Sequence, residues 1–238
     1  MQPAHAALAR ELADAIAAYA PLPAIEIELS LDDGYSVQRA LAAEVNGGRF
    51  GGIKGGVTNP AAQAFFGLDH ALLGRLYADR LWEAGCTVPY LADRMLECEV
   101  AIRIDAQGRP QAIAPAIEIV RPQLRGEPAR HAANMLATNL AADACIVGPW
   151  ADWDGAPLDA PMRLERDGTA VVETHSRESL NGPAEAVAWI VAEARENGFE
   201  WSSDTIVITG ACGQVIAAER GHYRADFGTF GALTFEVA

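Results

Sequence analysis

Acidic residues at alternating positions interrupt two apolar stretches of the sequence. Glu97 and Glu99 lie within MLECEVAIRI, and Glu26 and Glu28 lie within AIEIEL. In a β-strand, side chains two residues apart share a face, so each pair places two carboxylates about 7 Å apart. Such carboxylates repel each other unless water and salt, or a bound cation, lies between them. The spacing alone does not decide between these two alternatives.

A third acid distinguishes the pair formed by Glu97 and Glu99. Glu118 stands in the middle of APAIEIVRP, with apolar neighbours on both sides. A carboxylate in such a strand must be paired, hydrogen-bonded or bound to a cation. Three carboxylates from two strands that could be neighbours suit a hard divalent ion such as Mg²⁺ or Mn²⁺. The alternative for Glu118 is a salt bridge to Arg121 or to another arginine.

A glycine-rich segment, GGRFGGIKGGVTN, contains Lys54 and Thr58. It is not a phosphate loop, because Gly55 stands where that motif requires serine or threonine. The small neighbours would let a ligand approach the Lys54 ammonium, with the Thr58 hydroxyl nearby. A surface lysine on a loop is the alternative. From the residues alone, Asp79 is a helix-surface or capping acid, and His175 either lines a site or lies at the surface.

Composition and charge exclude several classes of function. The net charge of −14 and pI near 4.7 argue against a nucleic-acid partner, so we expect a small-molecule partner. No apolar run is long enough to span a membrane, and the first residues indicate an amphipathic helix rather than a signal peptide. Cys86, Cys98, Cys145 and Cys212 are widely separated, which is typical of reduced thiols in a cytoplasmic protein. No H-E-x-x-H or G-x-S-x-G motif is present, which leaves metalloprotease and serine-hydrolase functions unsupported.

The elements that must position these residues follow from hydrophobic periodicity and turn signals. Helices are predicted at residues 1–20, 34–45 with Asp32 or Asp33 as cap, 61–66, 70–82, 131–142 and 183–197. Strands are predicted at residues 23–31, 95–104, 115–120, 144–148, 162–167, 169–176, 204–211 and 222–237, with a hairpin turn at Asp167-Gly168. No internal repeat is present, and the pattern favours one compact, strand-rich α+β domain.

Several segments, taken together and in order, resemble the 2-keto-4-pentenoate hydratase and 2-oxo-3-hexenedioate decarboxylase branch of the fumarylacetoacetate hydrolase superfamily. They include LSLDDGYSVQRA, GGIKGGVTNPAAQAFFGLD, LLGRLYADRLWEAG, ECEVAIRI, APAIEIV and SSDTIVITGACG. The resemblance extends from about residue 25 to the end of the chain. It implies an α+β fold with a mixed β-roll, barrel-like core and surrounding helices, like the C-terminal domain of fumarylacetoacetate hydrolase. Residues 1–238 would form a single catalytic domain, with residues 1–45 as a helical N-terminal portion packed on it.

The resemblance also implies a set of site residues. Mg²⁺ or Mn²⁺ would be bound by Glu97, Glu99 and Glu118. The catalytic residues would be Lys54 and Asp79. The substrate would be contacted by Thr58, Thr209 and Gly210, and a second carboxylate of a diacid by His175 and Arg177.

In members of this family a 2-oxo acid binds the metal through its carboxylate and keto oxygen, and the ion stabilises the negative charge that develops there. The resemblance implies a hydratase of a small 2-hydroxydienoic or 2-oxo acid. Alternatives on the same scaffold are a decarboxylase or a C–C hydrolase. A non-catalytic partner subunit is a further alternative, because the segment between Glu99 and Glu118 is shorter than in typical members. The family also implies a homo-oligomer, or an assembly with a decarboxylase paralogue.

Overall fold

A computed structural model of the chain describes residues 2–47, 49–124 and 130–238. In these ranges the helices are α1 Pro3–Ala17, α2 Leu31–Asn46, α3 Pro60–Phe66, α4 Ala132–Ala137 and α5 Pro183–Glu196. The strands are β1 Gly52–Gly56, β2 Leu72–Leu76, β3 Leu81–Glu83, β4 Thr87–Val88, β5 Met95–Ile104, β6 Pro110–Val120, β7 Ala142–Val147, β8 Ala151–Asp152, β9 Pro161–Arg166, β10 Thr169–His175, β11 Thr205–Ile208, β12 Cys212–Ala217, β13 Gly221–Asp226 and β14 Ala232–Val237.

The strands form two sheets that enclose the main apolar core. The larger sheet has the order β2-β1-β11-β5-β6-β7-β3, and β12 and β8 pair with β5 and β6 respectively. It is mixed, because β1 pairs with β11 and β3 with β7 in parallel while the other pairs are antiparallel. It also curls, since β2 at one end contacts β7 near the other. The smaller sheet has the order β10-β9-β13-β14-β4. The predicted α+β fold with a mixed, barrel-like core is confirmed.

Strand β5 has the predicted bounds and the predicted faces. Cys98, Val100 and Ile102 pack into the core between the sheets, and Glu97 and Glu99 point to the other face. β5 pairs with β6 along its whole length. The prediction that the strands carrying the three acids are neighbours is therefore confirmed.

Helices α1 and α2 pack on each other through a second apolar cluster that includes Leu12 and Leu41, and α2 also packs on α4. The Ser30 hydroxyl accepts a hydrogen bond from Asp33 N at 3.1 Å, and Asp33 Oδ2 accepts one from Ser30 N at 3.1 Å. The prediction that Asp32 or Asp33 caps α2 is therefore wrong. The cap is Ser30, and Asp33 completes a capping box from inside the helix. The division of the chain into one domain with residues 1–45 as an N-terminal portion stays a prediction.

Two predicted elements are not formed. Residues 23–30 have no regular secondary structure, with a bend at Ile27, and pair with no strand in the described ranges, and α2 begins at Leu31. Ile25 is buried while Glu26 and Glu28 are exposed, so the alternation reflects one-sided packing onto the helices rather than a sheet. Residues 70–82 form β2, a 3-10 turn at Ala78–Arg80 and β3 instead of a helix, because pairing with β1 overrides the local periodicity.

Other boundaries differ in smaller ways. The helix predicted over 131–142 ends at Ala137, and residues 222–237 form two strands joined by a 3-10 turn at Gly228–Phe230. The hairpin at Asp167-Gly168 is confirmed, with φ angles of 50° and 80°. No helix in the described part of the chain is long and apolar enough to cross a membrane.

Candidate metal centre

The three acids singled out from the sequence come together on the larger sheet. Glu97 lies opposite Glu118 across the β5–β6 ladder, and Glu99 follows on the same face of β5. Each offers one carboxylate oxygen, and these three oxygens lie within 4.8 Å of one another. Glu99 and Glu118 are fully buried, whereas Glu97 is partly exposed. Of the three acids, Glu97 is thus the one that solvent reaches.

The cluster has the donor set that a divalent cation requires. Glu99 Oε1 and Glu118 Oε2 are buried and accept no hydrogen bond from any donor in the described residues. Buried carboxylate oxygens without a partner are unfavourable, whereas oxygen ligands of this kind suit Mg²⁺ or Mn²⁺. Together with Lys54, three ionised carboxylates carry a net charge of −2, which one divalent cation balances. The residues present therefore fit such an ion.

The pKa values of the three acids reflect the same imbalance. Burial and the neighbouring Glu118 charge raise the pKa of Glu97 to about 7, although Lys54 opposes the shift. Burial, with the charges of Glu118 and Glu97, raises the pKa of Glu99 well above its ordinary value. Burial also raises the pKa of Glu118, against the effect of Lys54. Without a cation, the three groups resist being ionised together.

Lys54 is part of this cluster. It lies on β1, is 2% exposed, and its Nζ is 2.5 Å from Glu118 Oε1. Burial lowers the pKa of Lys54, but the nearby carboxylates outweigh burial and raise it above its ordinary value. The side chain is therefore a buried ammonium. The alternative of a surface lysine is wrong, and so is a pairing of Glu118 with arginine, since Arg121 pairs with Asp93 at 2.8 Å.

A further signal in the sequence, besides the glycine-rich setting and the resemblance, also singles out Lys54. It is the only lysine among the 18 lysine and arginine residues of the chain. Lysine presents a compact charge with three donors on a flexible stem, whereas arginine presents a planar fork. A chain that otherwise uses arginine for every cationic side chain has a lysine where a buried ammonium meets three carboxylates.

The segment after β11 supports the cluster. Gly210 N donates a hydrogen bond to Glu99 Oε2 at 2.7 Å, and Thr209 Oγ1 accepts one from Val100 N at 3.1 Å. Gly210 has a φ of 94°, and a Cβ there would lie 2.4 Å from Thr58 Cγ2. Only glycine fits this contact. The structure thus brings Thr58, Thr209 and Gly210, all expected from the resemblance, into contact with one another beside Glu99.

A strained turn that the sequence did not predict lies next to Lys54. Asn139, Leu140 and Ala141 have φ angles of 56°, 52° and 60°. This left-handed conformation costs a non-glycine residue roughly 1 kcal/mol or more. Leu140 O accepts a hydrogen bond from Lys54 Nζ at 3.2 Å. The apolar periodicity of residues 131–142 predicts a continuous helix, and nothing in it indicates this turn.

Three other expected site residues lie outside the carboxylate cluster. Asp79 is in the exposed 3-10 turn after β2, its side chain is 64% exposed, and it pairs with Arg49. His175 Nε2 is 3.7 Å from Asp159 Oδ1, and Arg177 Nε donates to Asp159 Oδ2 at 2.6 Å. The roles of Asp79, His175 and Arg177 therefore stay predictions.

The loop that carries Arg177 nevertheless contacts the Thr209-Gly210 segment. Ser179 is fully buried, and its hydroxyl donates a hydrogen bond to Thr209 O at 2.6 Å. Arg177 is thus two residues from a side chain that contacts the segment holding Glu99.

Comparison with known proteins agrees with this geometry. No protein-family model matches the chain. It is 25% identical over 226 residues to a 4-oxalocrotonate decarboxylase of a Pseudomonas species, with 88% of each chain covered. It is 26% identical over 208 residues to a 2-keto-4-pentenoate hydratase of Burkholderia vietnamiensis, with 80% of this chain and 79% of the relative covered.

Solved structures share the fold. The 4-oxalocrotonate decarboxylase of Pseudomonas putida G7, complexed with magnesium and adipate, has a TM-score of 0.86 at 18% identity, covering 100% of this chain and 98% of that one. The fumarylpyruvate hydrolase of Pseudomonas aeruginosa, in complex with Mn²⁺ and pyruvate, has a TM-score of 0.59 at 18% identity. The match covers 78% of this chain and 88% of that one. Over most of its length the chain is thus similar in sequence to a 4-oxalocrotonate decarboxylase and a 2-keto-4-pentenoate hydratase, and it has the fold of these solved structures.

Proposed function

We propose that this protein is a divalent-metal-dependent lyase that adds water to a small 2-hydroxydienoic or 2-oxo acid. The observation that carries the proposal is the buried cluster of three carboxylates, two of whose oxygens have no donor in the described chain, around a single lysine. The similarity to 2-keto-4-pentenoate hydratases supports it over the greater part of the chain.

Glu97, Glu99 and Glu118 would hold Mg²⁺ or Mn²⁺, which supplies positive charge where negative charge develops on a substrate oxygen. Lys54 would bind the same oxygen or transfer a proton. Its ammonium has three N–H groups, of which Glu118 and the Leu140 carbonyl take two. The third remains for a substrate atom, and because the pKa of Lys54 is raised it would be present as a donor.

The remaining residues would bind and orient the substrate. The Thr58 hydroxyl and the Thr209-Gly210 segment lie together beside Glu99, where they would accept a substrate carboxylate. Asp79 would support the acid–base work. His175 and Arg177 would contact the second carboxylate of a diacid, which would compete with Asp159 for the Arg177 guanidinium.

Decarboxylation of a 2-oxo diacid is a second candidate function. It is favoured by the sequence similarity to a 4-oxalocrotonate decarboxylase, 25% identity over 226 residues, and an enzyme of that name shares the fold. Both reactions would use the same carboxylate cluster and lysine, so the substrate and the product distinguish them. A partner subunit without turnover of its own is a third outcome of the same experiment.

The test is a Mg²⁺-supplemented assay on 2-hydroxypenta-2,4-dienoate, which follows the loss of its ultraviolet absorbance, with CO₂ release from 2-oxo-3-hexenedioate measured in parallel. Calorimetry with Mg²⁺ on the wild type and on Glu97→Ala accompanies it. We expect dienoate turnover, and Mg²⁺ binding that the substitution abolishes. A wild type that binds no divalent ion would refute all the metal-dependent functions. Binding without turnover would indicate the partner subunit.

The assembly and the cellular location are proposals of the same kind. We expect a homo-oligomer, or an assembly with a decarboxylase paralogue, in the cytoplasm. Light scattering on the purified protein, alone and with such a paralogue, measures the oligomeric state.

A further inference from the structure

We propose that Asn139 is a positioning residue for Lys54, acting through the left-handed turn Asn139–Ala141. The inference rests on the proposed function in so far as Lys54 contacts the substrate. The turn itself, its hydrogen bonds and its contact with Lys54 do not depend on that function.

The side-chain amide of Asn139 clamps the turn to β2. Its Oδ1 accepts a hydrogen bond from Arg75 N at 2.8 Å, and its Nδ2 donates one to Arg75 O at 2.7 Å. The side-chain amide therefore pairs with both main-chain groups of one residue, as a neighbouring strand would. Asn139 is fully buried, so water does not replace either bond.

The clamp holds the turn in a left-handed backbone conformation. Three successive non-glycine residues with positive φ are unfavourable and persist only where their surroundings determine them. Asparagine adopts this conformation more readily than most residues. On the far side of the turn, Ala141 O accepts a hydrogen bond from Arg121 N at 2.8 Å. The turn is thus held at its first and third residues.

Leu140, the middle residue of the turn, contacts Lys54. Between those two anchors, the carbonyl of Leu140 accepts a hydrogen bond from Lys54 Nζ at 3.2 Å, in addition to the contact of Lys54 with Glu118. The stem of Lys54 is confined as well, since a Cβ at Gly74 would lie 2.6 Å from its Cγ. A lysine has four rotatable side-chain bonds, and two acceptors fix the direction of its ammonium. Without the turn, Glu118 alone would hold it.

The chain offers a direct probe, because Lys54 is the only lysine. Protein prepared with ¹⁵N-labelled lysine gives a single side-chain ammonium resonance, whose shift and exchange with water report the hydrogen bonds of Lys54. The Mg²⁺-loaded wild type is compared with Asn139→Ala and with Asn139→Gly. The glycine variant removes the clamp while tolerating the positive φ, so it separates loss of the clamp from added strain.

We expect both variants to shift the Lys54 resonance and to speed its exchange with water. We expect kcat to fall on the order of 100-fold, as for a misplaced catalytic group, with KM within about threefold of the wild type. Thr138→Ala is the matched control. Thr138 precedes Asn139 and is also buried. Its replacement by alanine removes only a hydrogen bond to Met135 O. It should leave the resonance and kcat unchanged.

Wild-type resonance and kcat in Asn139→Gly would overturn the proposal, as would equal changes in Thr138→Ala. Failure of both Asn139 variants to fold, judged by circular dichroism, would also count against it, because Asn139 would then be required for the fold. If the wild type turns over neither substrate, the proposed function fails, whereas a Lys54 resonance that still depends on Asn139 keeps the positioning inference.

Discussion

Two glutamate pairs with the same spacing have opposite environments in this molecule. Glu97 and Glu99 lie on β5, with Glu118 opposite and Lys54 nearby. Glu26 and Glu28 lie on a segment without regular secondary structure that pairs with no strand in the described ranges, and both face solvent. Alternation therefore identifies which residues share a face. The neighbouring strands determine whether that face is a site.

The two regions also differ in how charge is balanced. At the exposed pair, water and salt screen the repulsion between the carboxylates. At the buried cluster, screening is weak, and the balance comes from one lysine and from an ion that the donor set fits. Substitutions in the two regions should consequently differ in how much they change the unfolding free energy and the Mg²⁺ affinity. They should also differ in whether bound metal alters the change in unfolding free energy.

The largest effect is expected from removing the one fixed cation. Lys54→Met leaves three clustered carboxylates, two of them fully buried, without an ammonium. Breaking a buried ion pair from one side costs roughly 3–5 kcal/mol, so we expect the metal-free protein to lose unfolding free energy of that order. Urea unfolding in the presence of a chelator measures it.

Arg163→Met is the control for Lys54→Met, since Arg163 pairs with Glu165 at 2.9 Å while its side chain is 49% exposed. An exposed pair contributes at most about 1 kcal/mol. Equal losses in the two variants would contradict the view that burial makes the Lys54 cluster different.

The next largest effect is expected from substituting one of the proposed metal ligands, Glu99. Glu99→Gln keeps an oxygen to accept the hydrogen bond from Gly210 N but removes one negative charge from the cluster. We expect Mg²⁺ affinity to fall by about 100-fold or more, because even substitution of groups that only orient metal ligands costs 10- to 100-fold. Isothermal titration calorimetry with Mg²⁺ measures the affinity.

The same variant should be more stable than the wild type when no metal is present. Burial and two neighbouring charges raise the pKa of Glu99, so a neutral amide relieves an unfavourable interaction. A rise of about 1 kcal/mol would appear as a melting temperature a few degrees higher in chelator. A fall in stability together with unchanged Mg²⁺ affinity would contradict the assignment of Glu99 as a ligand.

The comparison also explains how much could be predicted from the sequence. Ten alternating residues predicted β5 and its two faces, and the apolar setting of Glu118 added the third acid. The same alternation at residues 23–31 predicted a strand that is not formed, because pairing depends on a partner that no local pattern specifies. The grouping of the three acids with Lys54 could be inferred only from the resemblance or from the structure.

Lys54 and the turn at Asn139 illustrate that limit. The contact between Lys54 and Glu118 joins β1 to β6, which are not adjacent in the sheet order. The sheet must curl before these strands face each other, and residue spacing does not encode that curl. Likewise the turn at Asn139 is held by hydrogen bonds to β2, so a helical pattern over residues 131–142 could not predict it.

A smaller effect is expected from the glycine that supports Glu99. Gly210→Ala would place a Cβ against Thr58 and force an unfavourable φ, and the hydrogen bond to Glu99 would be displaced. We expect a loss of about 1–3 kcal/mol in stability and about tenfold in Mg²⁺ affinity. Denaturant unfolding and calorimetry give the two values.

Gly168→Ala is the matched control for this substitution. Gly168 has a φ of 80°, yet a Cβ there would meet nothing within 4 Å. The two variants share the conformational cost but differ in the contact with Thr58 and the support of Glu99. A similar loss of Mg²⁺ affinity in both would mean that the Thr209-Gly210 segment does not orient the ligand.

The smallest effect is expected at the exposed pair. The double substitution Glu26→Gln and Glu28→Gln removes two charges from a solvated segment, and surface changes of this kind usually stay within about 0.5 kcal/mol. Mg²⁺ affinity, turnover and melting temperature should therefore all match those of the wild type. Because this pair and the pair on β5 have the same spacing, the double variant isolates the contribution of the surroundings. A loss of Mg²⁺ binding here would mean that the N-terminal segment reaches a metal site in solution, and the contrast between the two pairs would no longer hold.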